Sequence, residues 1–328
     1  MKVPTNIPAG VRPRRSRRSR FAVAALGALA VGGVLATMGA GLASAKKASS
    51  STIVCQGSSQ AKPGVLTGKI AGNVLVKGFC AVNQGPATVA GSVTVAPGAI
   101  LGAVFGLNHK THRGVSNLSI AGNLVVGNGA TALVGCEATQ FPCVDDPNQK
   151  APTLNNHVTI GGNVVVTGAL GVVIHDAMIL GKVSQDGGGG GQNCTPTGIF
   201  KVFMSPAYSD YEDSAIAGSL SIKNMHSCWL GVQRVYVGAG LTVTNNAMAD
   251  PDAIEIGHNL INGNLACSGN TNSVPASAAV WDTSDAAPGA LYPRVYKPNI
   301  VVHGTRSGQC NSSTPVTAGG PSGAPGSF

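Results

Sequence analysis

The sequence predicts an all-β fold, a single-stranded parallel β-helix with coils of about twenty residues. Three observations carry that expectation. A seven-residue phrase (apolar, any, Gly, small polar, apolar, any, apolar) recurs along the chain. Apolar residues alternate within each copy, which is strand periodicity, and helix periodicity is absent. Turn formers follow many copies, as in Pro97-Gly98, Gly127-Asn128-Gly129, Thr167-Gly168 and Asn245-Asn246. A β-sandwich is the alternative for a Gly-rich chain of short strands, but it does not account for one phrase returning at near-constant spacing.

Ahead of the repeats stands a leader. Residues 1–20 carry Lys2, Arg12, Arg14, Arg15, Arg17, Arg18 and Arg20 and no acid, an apolar run follows over 21–42, and Ala43-Ser44-Ala45 closes it. Basic, apolar and small residues in that order make a secretory signal peptide over 1–45. Ser16-Arg17-Arg18-Ser19-Arg20-Phe21 is close to a twin-arginine signal, with its Phe one place late, so the export route stays open. The competing reading is an uncleaved anchor, the one way the sequence offers of touching a membrane. Residues 46–54 then read as a flexible start to the mature chain.

The formal charge of +9 comes from 22 Lys+Arg against 13 Asp+Glu. Seven of the basic residues and none of the acids lie in the leader, which leaves 15 against 13, a balance of +2. The excess charge therefore gives no basic patch for nucleic acid, and none is expected as a partner. All eight cysteines lie beyond the leader, at Cys55, Cys80, Cys136, Cys143, Cys194, Cys228, Cys267 and Cys310, and none has CxxC spacing. An even count in an exported chain reads as disulfides. Sequential pairing, 55–80, 136–143, 194–228 and 267–310, asks least of folding, because nearby cysteines meet most easily.

The phrase begins at Ile70, Val89, Ile120, Ile160, Ile216 and Ile261, with weaker copies at Ile179, Val237 and Val302. Start-to-start spacings are 19, 31, 40, 19, 37, 21, 24 and 41, near one or two twenties with insertions. A coil of that size has too little apolar surface to fold alone, and stacking buries a continuous column of Val, Ile and Leu. The repeated Gly is expected where a side chain would clash or a positive φ is needed. Asn at equivalent places in successive coils is expected to form an amide ladder. At roughly 4.8 Å per coil, about nine to twelve coils over 55–310 make a rod on the order of 50 Å long. Extruded loops are expected near 136–157, 184–213 (opening on Gly187 to Gly191, a flexible insertion) and 268–299. The Gly/Pro/Ser/Thr tail over 311–328 reads as disordered.

The Gly-Asn repeats, Cys136…Cys143-Val144-Asp145-Asp146-Pro147, Tyr211-Glu212-Asp213-Ser214, Ser227-Cys228-Trp229-Leu230-Gly231 and Ala249-Asp250-Pro251-Asp252-Ala253-Ile254-Glu255 together resemble a family of secreted actinobacterial proteins with no assigned activity. The similarity covers most of the mature chain. It implies export and a repeat fold and carries over no catalytic residue.

Chemistry is sparse. Asp210, Glu212 and Asp213 lie beside Phe200, Phe203, Tyr208 and Tyr211; Asp250, Asp252 and Glu255 follow a coil or two later, with Trp229, Arg234 and Tyr236 between. If the coils stack in register, Asp210, Glu212, Asp213, Arg234, Asp250, Asp252 and Glu255 are the candidates for one face. Paired carboxylates beside aromatics suit a glycosidase; carboxylates with an Arg suit Ca²⁺ and a uronic acid. The plainer reading makes short acids beside Pro and Ser turn formers. Asp145 and Asp146 are weak calcium candidates for the same reason. His175-Asp176 suggests a base with its acid, but neighbours on a strand face opposite sides, and no Gly-x-Ser-x-Gly accompanies it. No cofactor is expected apart from calcium. Two functions remain: a non-catalytic structural or binding protein of the cell surface, meeting wall or extracellular polysaccharide or another envelope protein, and a polysaccharide lyase or glycoside hydrolase acting through 200–255.

Overall fold

In a computed structural model, residues 51–138, 141–250, 254–273, 280–282 and 299–311 are described. They form a parallel β-helix whose named strands all pair in parallel, which excludes the antiparallel sandwich. The leader and the tail over 312–328 lie outside the described residues. No helix among the described residues is long and apolar enough to cross a membrane.

Each coil contributes to three sheets, named here in the order the phrase meets them. Sheet I runs from Gly68–Ile70 through Ala87–Val89, Leu118–Ile120 and Val158–Ile160 to Ile300–Val302. Sheet II takes the second half of each phrase, as in Val93–Val95, Leu124–Val126 and Val164–Thr167. Sheet III holds Ile100–Ala103, Thr131–Val134, Gly171–His175, Tyr208–Glu212, Trp229–Gln233 and Ile254–Gly257. The long strand Asn73–Ala81 passes from sheet II to sheet III through Gly78 at φ 65°.

Register follows the phrase. Val74, Val93, Leu124, Val164, Val183, Leu220, Leu241 and Leu265 stack in one sheet II column, all buried. Full burial of each such side chain contributes roughly 1.5–3 kcal/mol. The ninth copy joins with a one-residue slip: Ile261 pairs with Val301, yet Leu265 pairs with Arg306. The extra residue is taken up near His303, at φ 55°.

The repeated Gly marks the corner between sheets I and II. Gly91, Gly122, Gly162 and Gly181 each donate their amide to the corner glycine of the coil before. A Cβ on any of them would run into that glycine's carbonyl, so close approach, and no positive φ, is what these four require. The polar residue after the Gly forms the expected ladder. Asn73 Oδ1 accepts from the Ser92 amide at 2.8 Å, Ser92 Oγ from Asn123 at 3.0 Å, and Asn123 Oδ1 from Asn163 at 2.7 Å. Two further ladders run through later coils, the buried Asn259–Asn299 and Asn246–Asn270–Gln309, which ends at the exposed Gln309.

The cysteines pair sequentially, as 55–80, 136–143, 194–228 and 267–310. The first and last bridges lie inside the column of coils; Cys136–Cys143 and the Cys228 end of the third bridge lie in a second apolar cluster outside sheet III, with Cys194 exposed. That second cluster exists because loops fold back over the sheet. One loop spans 135–157, between Thr131–Val134 and Val158–Ile160. The next is shorter than the spacing suggests: 184–186 and 208–212 are strand, so the insertion is 187–207. Its Gly run is no loose segment. Gly189 donates to Ala169 O, Gly191 to His226 O, and Gly188 O accepts from His226, with every φ from Gly187 to Gly191 positive. Residues 104–117 form a further loop that the spacing of 31 conceals. The expected insertion at 268–299 is partly coil: Leu265–Ser268 and Val280–Asp282 are strands, and 274–279 and 283–298 lie outside the described residues.

Candidate functional site

Outward positions of sheet III change character along the axis. In register, Ala81, Gly102, Leu133 and Val173 give way to Asp210, Gly231 and Glu255. The adjacent column runs His175, Glu212, Gln233, Gly257. Such a face would normally be wet. Here the loops make it a second interior: Asp210 and His175 are 2 % exposed, Glu212 3 % and Glu255 0 %. Phe141 stacks on the His175 ring with centroids 4.5 Å apart.

His175 sits between two acids of the next coil. Its Nε2 lies 3.2 Å from Asp210 Oδ2, and its Nδ1 lies 4.0 Å from Glu212 Oε2. The neighbour in sequence, Asp176, turns the corner at φ 45° and pairs with His157 instead, at 2.7 Å. Arg234, one coil further, clamps Asp213 through Nε and Nη2, both at 2.6 Å, and its Nη2 also donates to Glu212 Oε2. Glu137 reaches the group from the disulfide loop, 4.0 Å from Arg234. Gln233 bridges to Glu255, its Nε2 donating to Oε2 at 2.8 Å.

Burial sets the protonation of this cluster. Loss of water raises Asp210 and Glu212 each to about 8, with mutual repulsion adding to Glu212. Glu137 rises to about 9 from burial and from its hydrogen bond to Asp213. Burial would raise Asp213 as well, but hydrogen bonds from Arg234 and Glu137 hold it below the usual carboxylate range. Burial lowers His175 despite the neighbouring acids. Burial also opposes the charge of Arg234, and the carboxylates around it outweigh that and raise it. Asp213–Arg234 is thus the ionised pair at neutral pH, and the deeper acids hold protons or need another cation.

Of the sequence candidates, Asp210, Glu212, Asp213, Arg234 and Glu255 come together, the last through Gln233. Asp250 does not: its amide bonds Cys228 O and its carboxylate lies beside the Cys194–Cys228 bridge. Asp252 lies outside the described residues. Asp210, Glu212 and Glu255 share a face that the loops cover and line no open groove, whereas Asp213 and Arg234 reach the edge of a shallow one. Asp145 and Asp146, the weak calcium candidates, are engaged by the backbone of their own loops. Asp145 accepts from the Gly106 and Leu107 amides at 2.6 and 2.8 Å, and from His109. Asp146 accepts from Thr153, Asn148 and Leu154 amides, which holds its carboxyl below the usual range, the Thr153 bond foremost. Both anchor their loops through these bonds.

Sequence reasoning set His175 aside by pairing it with Asp176, and missed Glu137 and Gln233. The signal for His175 was the repeat itself: the phrases at Ile179 and Ile216 lie 37 residues apart, the same offset that separates His175 from Glu212. Glu137 carries no such signal, since it sits in a loop outside the register.

Two openings flank the cluster. A cavity of about 340 Å³ lies between the two loops, lined by Phe141, Phe200, Phe203 and Tyr208 among others. A shallower groove of about 550 Å³ lies at the sheet III–sheet I corner, where Asp213 and Arg234 meet Asp176, Met178 and Tyr236. No family model, curated protein or solved structure matches the chain.

Proposed function

We propose that this is an exported protein of the cell surface with a non-catalytic binding role, and that it binds through the loop-built face of sheet III. The observation that carries this is the aromatic cavity of about 340 Å³ between two disulfide-pinned loops. Its size and apolar lining are those of ligand sites in general. Val144, Val202 and Met204 nearby are 40 %, 53 % and 87 % exposed, more apolar surface than an idle loop tip presents. Aromatic rings with few charges around them suit the C–H faces of sugar rings, so the partner is a wall or extracellular polysaccharide. The basic leader, its small-x-small cleavage sequence and four disulfides support export. So does the resemblance to secreted actinobacterial proteins.

The lyase or hydrolase reading is less well supported. A glycosidase needs two carboxyl groups open to the scissile bond, about 5–9.5 Å apart, and Asp210 and Glu212 are sealed from solvent. The test is to expose purified mature protein to neutral and acidic polysaccharides with and without Ca²⁺. Retention without new reducing or unsaturated ends is expected, and Phe203→Ala should weaken retention about tenfold, or ~1.4 kcal/mol. Release of chain ends would overturn the non-catalytic reading. Retention indifferent to Phe203→Ala would move the site elsewhere, and capture of an envelope protein alone would replace the polysaccharide.

A further inference from the structure

The buried cluster on sheet III has an imbalance that its own residues do not resolve. Arg234 is spent on Asp213 and on one oxygen of Glu212. Asp210 Oδ1, Glu212 Oε1 and His175 Nδ1 have no hydrogen-bond partner, although their side chains are almost fully buried. One ligating atom from each of these three residues lies within 4.8 Å of those of the other two. With Nε2–H donating to Asp210, the unpartnered His175 Nδ1 presents a lone pair, as do both carboxylate oxygens.

Orphaned acceptors of this kind cost free energy unless something electropositive meets them. One proton shared between the acids neutralises a charge but leaves the imidazole nitrogen unmet. A divalent cation among the three side chains balances both carboxylates and gives the imidazole an electropositive partner. Gly231 lets the Asp210 carboxylate and the Trp229 ring pack directly against its backbone, where a side chain would collide with both.

We propose that His175, Asp210 and Glu212 bind one first-row divalent transition-metal ion, of which zinc is the type. An imidazole in the donor set selects this class over calcium, which takes six to eight oxygens. The donors lie beneath Phe141, whose ring stacks on His175, and three protein ligands leave a fourth position for water. The ion ties Gly171–His175 to Tyr208–Glu212, and through the stacked ring it pins the disulfide loop. This goes beyond the binding role proposed above and stands or falls separately from it.

The test uses untagged, disulfide-bonded mature protein stripped by a chelator and titrated with Zn²⁺, Mn²⁺ or Ca²⁺ alone. Calorimetry and metal analysis after gel filtration should give one equivalent of zinc, bound at least tenfold more tightly than calcium. X-ray absorption of the zinc form should report one imidazole nitrogen with oxygen neighbours. His175→Gln and Glu212→Gln, each checked for native circular dichroism, should lose the bound ion. Should either variant fail to fold, the absorption spectrum of the wild-type site decides. A folded protein that takes up no zinc overturns the proposal. So does zinc retained by both variants, a shell without nitrogen, or tighter calcium binding.

Discussion

Two acidic pairs, Asp145–Asp146 and Asp210–Glu212, look alike in sequence and live in opposite surroundings. Around the first, five backbone amides converge on the two carboxylates. Around the second, the acids project from a regular sheet whose own amides are spent on neighbouring strands. Acids in irregular loops find donors because loop amides lack strand partners. Acids on a covered sheet face do not, so they depend on Arg234, on protons or on a metal. An anchored carboxylate and an unanchored one are thus separated by where the nearest unspent N–H groups lie.

The largest expected effect comes from removing the one full cation of the second site. Arg234→Met leaves Asp213, Glu212 and Glu137 facing one another without it. Breaking a buried pair in this way costs about 3–5 kcal/mol, and the low end applies because Arg234 is 13 % exposed. Urea denaturation in the presence of a chelator should show a loss of about 3 kcal/mol. Hydrogen exchange should place the loosening at Tyr208–Glu212 and leave the Thr153 and Leu154 amides protected. A loss below about 1 kcal/mol would mean that the cluster is already neutral without its arginine.

Acidity should separate the two pairs by sign. Asp210 and Glu212 have folded values near 8, raised from 3.8 and 4.5. Metal-free folded protein therefore holds protons that the unfolded chain releases, and stability falls as pH rises through this window. Because coupled acids titrate in steps, the change is roughly 1 kcal/mol per pH unit. Below about 6.5 the gain should flatten, since burial disfavours charging His175. Asp146 runs the other way: its folded value is depressed, so its contribution is present above the unfolded value of 3.8 and is lost as pH falls through the folded one. Chelated protein should unfold at higher urea at pH 6.5 than at pH 8.5, and its 135–157 loop should loosen first near pH 3. Equal stability at pH 6.5 and 8.5 would break the contrast.

Much of this arrangement was legible in the residues. Phrase spacings of 37, 21 and 24 carry His175 to Glu212, Gln233 and Gly257 in steps, and carry Val173 to Asp210, Gly231 and Glu255. Register is readable because alternation places every other side chain on one face. The covering of that face was not readable. Phe141, Glu137 and Phe200 lie in insertions with no period, and only their disulfides hinted that they were held down. The corner glycines point to the same limit: Gly91 and Gly122 are glycines because the previous coil's carbonyl occupies the side-chain position, a fact of stacking and not of local turn preference.

The smallest expected effect lies at the first pair. His109 Nε2 is 3.0 Å from Asp145 Oδ2, with the His side chain 39 % exposed and that of Asp145 11 %. Removing the ring leaves Asp145 with both backbone amides, Gly106 and Leu107. A half-exposed polar contact of this kind contributes about 0.2–1 kcal/mol at most, and two charge-assisted amide bonds fix the carboxylate without it. His109→Ala should therefore shift urea stability by no more than about 0.5 kcal/mol, with the Gly106 amide still slow to exchange. Loss of that protection would show that the histidine, and not the backbone, holds Asp145 in place, and the distinction drawn between anchored and unanchored acids would have to be redrawn around side-chain partners.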